Sequence, residues 1–332
     1  MSIESGNSND LDPNDAGCQP AIAARLRGAD VPGESVGGDD QGENGLPPIK
    51  TSDKVTLYSA ESEIRYPWKL LWGIFASFWD GRELAWRLFL RNIRGLYRQT
   101  LLGLFWAFLP PIANTAIWIF LREAQIFDTG EMSVNSTVFI LTGMILWQAF
   151  IEAFQMPLNM LNKNRNMISK LNFPRESLLL VGIGEVIFDL LIRLLLLIPA
   201  FLIFGVAFQA SMLLAPISIL GLILLGTALG LLVMPLGSLY QDVGRFIALA
   251  LPFWMILTPI IYVPFDTFPG VLLNWLNPAS PLLLLSRDWL LLGGAEHLTA
   301  GLVFGAATLP LILLGLIVFR ISIPVLVERM NA

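Results

Sequence analysis

Six apolar stretches, each near the length that crosses a bilayer, constrain this chain more than any other feature. A span takes about 20 mostly apolar residues at about 1.5 Å each. Residues about 101–121, 137–156, 178–204, 213–236, 246–263 and 299–319 meet that requirement. In lipid every backbone polar group must be satisfied internally, so such runs read as helices. The expected fold class is an all-α membrane protein. It has six transmembrane helices, an N-terminal interfacial amphipathic helix and short external re-entrant helices. Hydrophobic residues make up 55% of the chain and charged residues 14%, at a mean hydropathy of +0.65. A soluble domain is about a quarter charged.

Residues 270–294, GVLLNWLNPASPLLLLSRDWLLLGG, are apolar but interrupted. The pieces 271–276 and 282–292 are too short to span, and Asn277-Pro278 and Pro281 break the run. A pair of short re-entrant helices fits this pattern better than a surface loop with amphipathic helices.

The first 50 residues carry nine acids against three bases, eight glycines, five prolines and no aromatic residue. Such a segment cannot bury enough apolar surface to offset its ordering entropy. Residues 1–55 are read as a disordered polar tail, and 321–332 as a short cytoplasmic one. Cys18 is the sole cysteine and His297 the sole histidine. Neither a disulfide framework nor a histidine metal cluster follows, and no cofactor is expected. The basic residues hug apolar runs and form no soluble basic domain, so nucleic acid is not an expected partner.

Lysine and arginine asymmetry sets orientation. With the N-terminus inside, twelve basic residues face the cytoplasm: Arg82, Arg87, Arg91, Arg94, Arg98, Lys163, Arg165, Lys170, Arg175, Arg245, Arg320 and Arg329. Arg122 and Arg287 face outward, with Glu123, Asp128, Glu131, Asp266, Asp288 and Glu296. Both termini are then cytoplasmic.

Residues 65–100 form the interfacial segment. At about 100° per residue, Arg87, Arg91, Arg94 and Arg98 share an arc of about 60°. Trp86, Phe89, Leu90, Ile93, Leu96 and Tyr97 cluster on the opposite side, and Trp68, Trp72, Phe75, Phe78 and Trp79 extend the aromatic material. The expectation is an apolar face in acyl chains with cations at lipid phosphates. Setting topology is the alternative role for the arginines.

Charge also enters the third stretch. Glu185, Asp189 and Arg193 stand at i, i+4 and i+8, on one helix face. An unpaired charge at mid-membrane costs about 2.5–3.5 kcal/mol on insertion scales. The face must therefore point into the bundle, a dimer interface or water, and Asp189 and Arg193 can pair one turn apart. A packing ion pair and a pathway lining both fit. Small-residue spacing at Gly226–Gly230 and Gly301–Gly305 permits close helix contact. Prolines at 110, 111, 199, 216, 235, 252, 259 and 310 imply kinks. No G-x-x-x-x-G-K-[ST], G-x-S-x-G, H-E-x-x-H or CxxC occurs, so no catalytic machinery is expected.

The stretch LYRQTLLGLFWAFLPP at 96–111 resembles the membrane subunits of bacterial ABC-2-type exporters of polysaccharides, O-antigen and teichoic acid. Members of that family typically read YRQTxLGxxWAxLQP here. Pro110 stands where the family carries a glutamine. NRNMISKLNFPRESLLL at 164–180 is similar to the family's NxNLIxKxxFPRExLPL, and YQDVGRF at 240–246 to its YRDV loop. TPIIY at 258–262 and LNPASPLLLLSRDWLLLG at 276–293 resemble its fifth span and its LNPxxPLxExFRxxLLG segment. Leu284 or Leu285 stands where that segment carries an acid or a polar residue. The likeness covers about 65–330.

The resemblance implies a channel of two copies of the chain and a separate ATPase subunit bound from the cytoplasm. It implies a glycan or polyol polymer as substrate, usually on a polyprenyl lipid, and a bacterial inner-membrane location. The family's coupling segment maps to about 157–175, so Asn164, Arg165, Lys170, Phe173, Pro174 and Arg175 are the candidate residues for contact with the ATPase. Arg87, Arg91, Arg94 and Arg98 are candidates for lipid phosphate. Glu185, Asp189 and Arg193 form the candidate intramembrane polar face. The alternatives are an ABC-2 exporter of a drug or lipid, a secondary transporter using the Glu185/Asp189/Arg193 face for coupling, and a non-transporting membrane scaffold.

Overall fold

The computed structural model describes residues 67–98, 105–126, 130, 132, 134–170, 173–264 and 270–331. The tail assigned to 1–55 and the start of the first expected span lie outside the described residues. Among the described residues no strand occurs. The helices are α1 (Pro67–Arg98), α2 (Phe105–Glu123), α3 (Ser136–Lys163), α4 (Arg165–Lys170), α5 (Glu176–Leu194) and α6 (Leu197–Phe204). They continue with α7 (Ala215–Leu239), α8 (Gln241–Leu257), α9 (Gly270–Leu276), α10 (Ala279–Arg287) and α11 (Leu298–Asn331).

Among the described residues four helices are long and apolar enough to cross a membrane: Ser136–Lys163, Glu176–Phe204, Ala215–Leu239 and Leu298–Arg329. They correspond to the second, third, fourth and sixth apolar stretches. The first and fifth stretches form shorter helices, α2 with 19 residues and α8 with 17. At about 1.5 Å per residue α8 reaches about 26 Å. Its first turn carries Asp242, paired with Arg245 at 3.2 Å. The third stretch divides between α5 and α6 at Leu195 and Leu196. Pro199 lacks the N–H that would bond the Leu195 carbonyl, which is where regular helix gives way.

Pro110 and Pro111, where kinks are expected, both lie inside α2. The carbonyls they leave without donors are those of Trp106 and Ala107, in the helix's first turn. The disruption therefore stays at its start.

The core centres on α3. Ile140, Ile145, Leu146, Ala149 and Phe150 are fully buried on it. Its Asn135 cap accepts from the Thr137 N–H at 2.9 Å. Against it lies α7, and the glycine pair expected to permit close contact does so. A Cβ on Gly226 would stand 2.7 Å from the Phe150 carbonyl oxygen, and one on Gly230 would collide with that of Phe154. The second pair, on α11, faces α10: Gly301 meets Leu285 and Gly305 meets Leu282. Every residue of α10 is buried, between α7 and α11.

Helix α1 differs from the expectation of one apolar face in lipid. Ile74, Ser77, Ala85 and Leu88 form a buried stripe at helical spacing, packed on α5. Gly81, in the same stripe, brings the backbone against Ser177 and Pro174. Phe89 meets Phe188 edge-on, with ring centroids 6.2 Å apart. The opposite side carries Trp72, Trp79 and Trp86 at i, i+7 and i+14, which are 75%, 68% and 59% exposed. The helix thus has a protein face and a separate aromatic face. Burial against α5 takes the smaller residues because a close helix contact excludes the indoles.

Candidate functional site

The intramembrane charges assemble differently from the spacing expectation. Arg193 does not close on Asp189 one turn below it. Its Nη1 donates to Glu152 Oε2 at 2.7 Å and its Nη2 to Glu152 Oε1 at 2.5 Å. This is a two-pronged pair from α5 to α3, with the arginine side chain 9% exposed. The planar fork of guanidinium matches a carboxylate across two helices, which the steep geometry of one turn does not allow as well. Gln148 Nε2 adds a bond to Glu152 Oε1 at 3.3 Å. Glu185 accepts from Asn92 Nδ2 at 2.7 Å and lies 3.9 Å from Lys163 Nζ. Three elements therefore meet at Glu185: α1, α3 and α5. Asp189 has no hydrogen-bond or ion-pair partner among the described residues, and the charges acting on it are Glu152, Arg193 and Glu185.

Two cavities flank α3. One, of about 380 Å³, lies between α2, α3 and α8, with Pro111, Asn114, Trp147, Gln148, Gln155 and Pro252 among its walls. The other, of about 250 Å³, is walled by Gln155, Asn159, Asn162, Gly230, Gly244 and Ile247, among others. They meet at Gln155. Small-molecule sites commonly measure about 300–1,000 Å³. Gln148, Gln155, Asn159 and Asn162 stand at i, i+7, i+11 and i+14, one stripe along the unburied side of an otherwise buried helix. Among the described residues no charged side chain lines either cavity. Sequence reasoning missed Glu152 and these amides. The signal was present in the amide spacing, within a stretch read only for its length.

The candidate coupling residues lie between α3 and α5, on and around the short helix α4. Asn164 is buried; its backbone N–H and its Nδ2 both donate to the Met160 carbonyl, at 3.1 and 2.9 Å. Its own carbonyl accepts from Met167 and Ile168, starting α4. One residue thus ends one helix and begins the next. Arg165 is exposed, Ile168 is buried, and Phe173 packs on the core. The Pro174 carbonyl accepts from Ser177 Oγ at 2.5 Å, and Arg175 is half-buried at the head of α5. Glu176 lies 3.7 Å from Arg320 of α11. The side chains of Lys170 and Arg98 lie outside the described residues. Among the other interfacial arginines, Arg87 pairs with the exposed Glu83 at 2.5 Å, Arg91 contacts Asn92, and Arg94 is exposed.

The TPIIY stretch at 258–262 and the LNPASP stretch at 276–281 hold each other. Asn277 Nδ2 donates to Thr258 Oγ1 at 2.7 Å, and Asn277 Oδ1 accepts from Trp254 Nε1 at 2.9 Å and Ala279 N at 3.1 Å. Arg287 and Asp288, counted above with the outer loops, are each 2% exposed. Arg287 Nη1 donates to the Pro259 carbonyl at 3.0 Å, and its guanidinium lies 3.7 Å from the Phe139 ring centroid. Asp288 Oδ2 accepts from the His297 backbone N–H at 3.0 Å and lies 2.8 Å from its Nδ1. Buried charge of this kind persists because each group is hydrogen-bonded.

Known proteins resemble this chain at low identity. It is 22% identical over 211 residues to an O-antigen export system permease protein RfbA of Klebsiella pneumoniae, spanning 62% of this chain and 80% of that protein. A second Klebsiella pneumoniae protein of that name is 22% identical over 200 residues, or 60% and 75% of the two chains. One from Myxococcus xanthus is 22% identical over 185 residues, or 54% and 68%. Residues 83–287 match the ABC-2 type transporter family, more than half of the 332-residue chain. That region holds the charged network, the amide-lined groove and the interlocked stretches, and this multi-pass membrane protein belongs to the ABC-2 type transporter family.

Proposed function

We propose that this chain is the membrane subunit of an ABC exporter of a lipid-linked polysaccharide. The polymer, of the O-antigen, capsule or teichoic-acid kind, leaves the cytoplasm across a bacterial inner membrane. Two copies form the pathway and a separate ATPase drives it. The observation that carries this reading is the groove along α3: a row of amides inside an ABC-2 permease whose relatives bear O-antigen export names. The chain has no Walker A motif, so ATP hydrolysis falls to a partner. The surface for that partner is the segment that the buried Asn164 holds in place, with Arg165 exposed on it and Lys170, Phe173, Pro174 and Arg175 following. A short helix wedged between two spans converts closure of an attached ATPase into span movement. Deleting the gene tests the reading: a surface polymer should vanish outside and accumulate, lipid-linked, inside. Unchanged surface polymer would refute it.

A secondary transporter is the competing reading, and Asp189 favours it, as a half-buried carboxylate without a hydrogen-bond partner. Collapse of export by a protonophore at constant cellular ATP would support that alternative.

A further inference from the structure

We infer that the groove along α3 binds an uncharged, polyhydroxylated segment of the polymer and disfavours a phosphodiester chain; this rests on the exporter reading above. Gln148, Gln155, Asn159 and Asn162 stand on one stripe over about four helical turns, and Asn114 of α2 lines the larger cavity with Gln148 and Gln155. Each carboxamide offers two donors and an acceptor with two lone pairs. A sugar hydroxyl is likewise donor and acceptor, so a row of amides can follow a glycan whatever the orientation of each hydroxyl.

The charge pattern makes the inference specific. A phosphodiester polymer carries one negative charge per unit, and proteins meet such chains with arginine and lysine. No such side chain lines either cavity among the described residues. Glu152 lies at the edge of the amide stripe, one turn from Gln148 and three residues from Gln155, and would make the groove anionic. Arg193 reaches across from α5 and takes both of its oxygens. The ion pair thus neutralises the carboxylate at the edge of the stripe, and the amides that line the two cavities define an uncharged path among the described residues.

The test uses the full chain in lipid nanodiscs, with Cys18→Ser and a single new thiol from Ala248→Cys. Ala248 is exposed and lines the larger cavity without belonging to the amide row. Labelling by a thiol reagent is followed with dextran oligosaccharide or poly(glycerol phosphate) as competitor. Dextran oligosaccharide should slow labelling several-fold at concentrations where poly(glycerol phosphate) does not. In Gln155→Leu/Asn159→Leu the concentration needed should rise by about tenfold, the loss of about two neutral hydrogen bonds. Gln155→Asn/Asn159→Gln, which keeps the amides, should retain much of the protection. Equal or stronger protection by poly(glycerol phosphate), or no protection by dextran oligosaccharide, overturns the inference. If protection is absent while gene deletion still traps a polymer inside, only the groove assignment falls. If deletion traps no polymer, the exporter reading falls with it.

Discussion

Arg193 and Glu152, 41 residues apart, close a two-pronged ion pair at 2.5 and 2.7 Å between adjacent spans. The pair joins α5 to the central helix α3, and it leaves Asp189 to face the bundle without a partner in hydrogen-bond reach. Removing one side of a buried pair costs about 3–5 kcal/mol, because the other charge stays buried, whereas replacing both sides with apolar groups is often neutral. Arg193→Ala should therefore lower the thermal midpoint in detergent strongly. Glu152→Leu/Arg193→Leu should recover most of the loss. Equal midpoints for the two variants would rule out a buried pair.

Arg287 should tolerate no lysine. Its guanidinium satisfies the Pro259 carbonyl while lying over the Phe139 ring. An ammonium cannot keep both contacts in that planar arrangement. Each unmade buried bond costs about 1–3 kcal/mol. We expect both Arg287→Lys and Arg287→Leu to increase protease cleavage near residues 258–287, with leucine the more severe. Wild-type cleavage in Arg287→Leu would contradict the interlock of the two stretches.

At Gly230 a methyl group would collide with the Phe154 carbonyl oxygen, which belongs to the backbone and cannot swing aside. Overpacking of a tight core costs about 1–3 kcal/mol. Gly230→Ala should separate α3 from α7 and reduce folded yield. Gly95→Ala, where nothing stands within 4 Å, should leave yield unchanged or improve it. The comparison of the two yields, measured by size-exclusion chromatography, decides the point.

Reversing charge in the proposed coupling segment should weaken association with the proposed ATPase and spare insertion. For Lys170→Glu and Arg175→Glu, an effect of about tenfold per substitution on the dissociation constant corresponds to about 1.4 kcal/mol. Co-purification with the ATPase measures it, and unchanged recovery would remove these residues from the interface.

Glutamine at Arg87, Arg91, Arg94 and Arg98 should reduce export more than membrane insertion. In the described part of this group the arginines lie on an exposed side of α1, away from the stripe that packs on α5. Normal export with the four substitutions would return them to a role in topology alone.

Length and hydropathy were enough to read the helical class and the long spans, because a bilayer leaves few backbone solutions. The GxxxG spacing likewise marked Gly226–Gly230 as a place of close helix contact, since glycine at i and i+4 exposes backbone on one face, but it did not name α3 as the partner. Motif order was enough to suggest the transporter family. What the one-dimensional pattern could not carry was pairing between helices. Periodicity places Asp189 beside Arg193 on one helix, but it holds no information on Glu152, which the fold brings in from another. Arg287 and Asp288 read as outer-loop charges until the chain returned over TPIIY and buried them. Nor does α1 disclose which of its faces meets protein, because packing on α5 selected the small residues and left the indoles outside. The amides of α3 were visible at helical spacing throughout. Only the tertiary structure, by burying the rest of that helix, turned them into the lining of a groove.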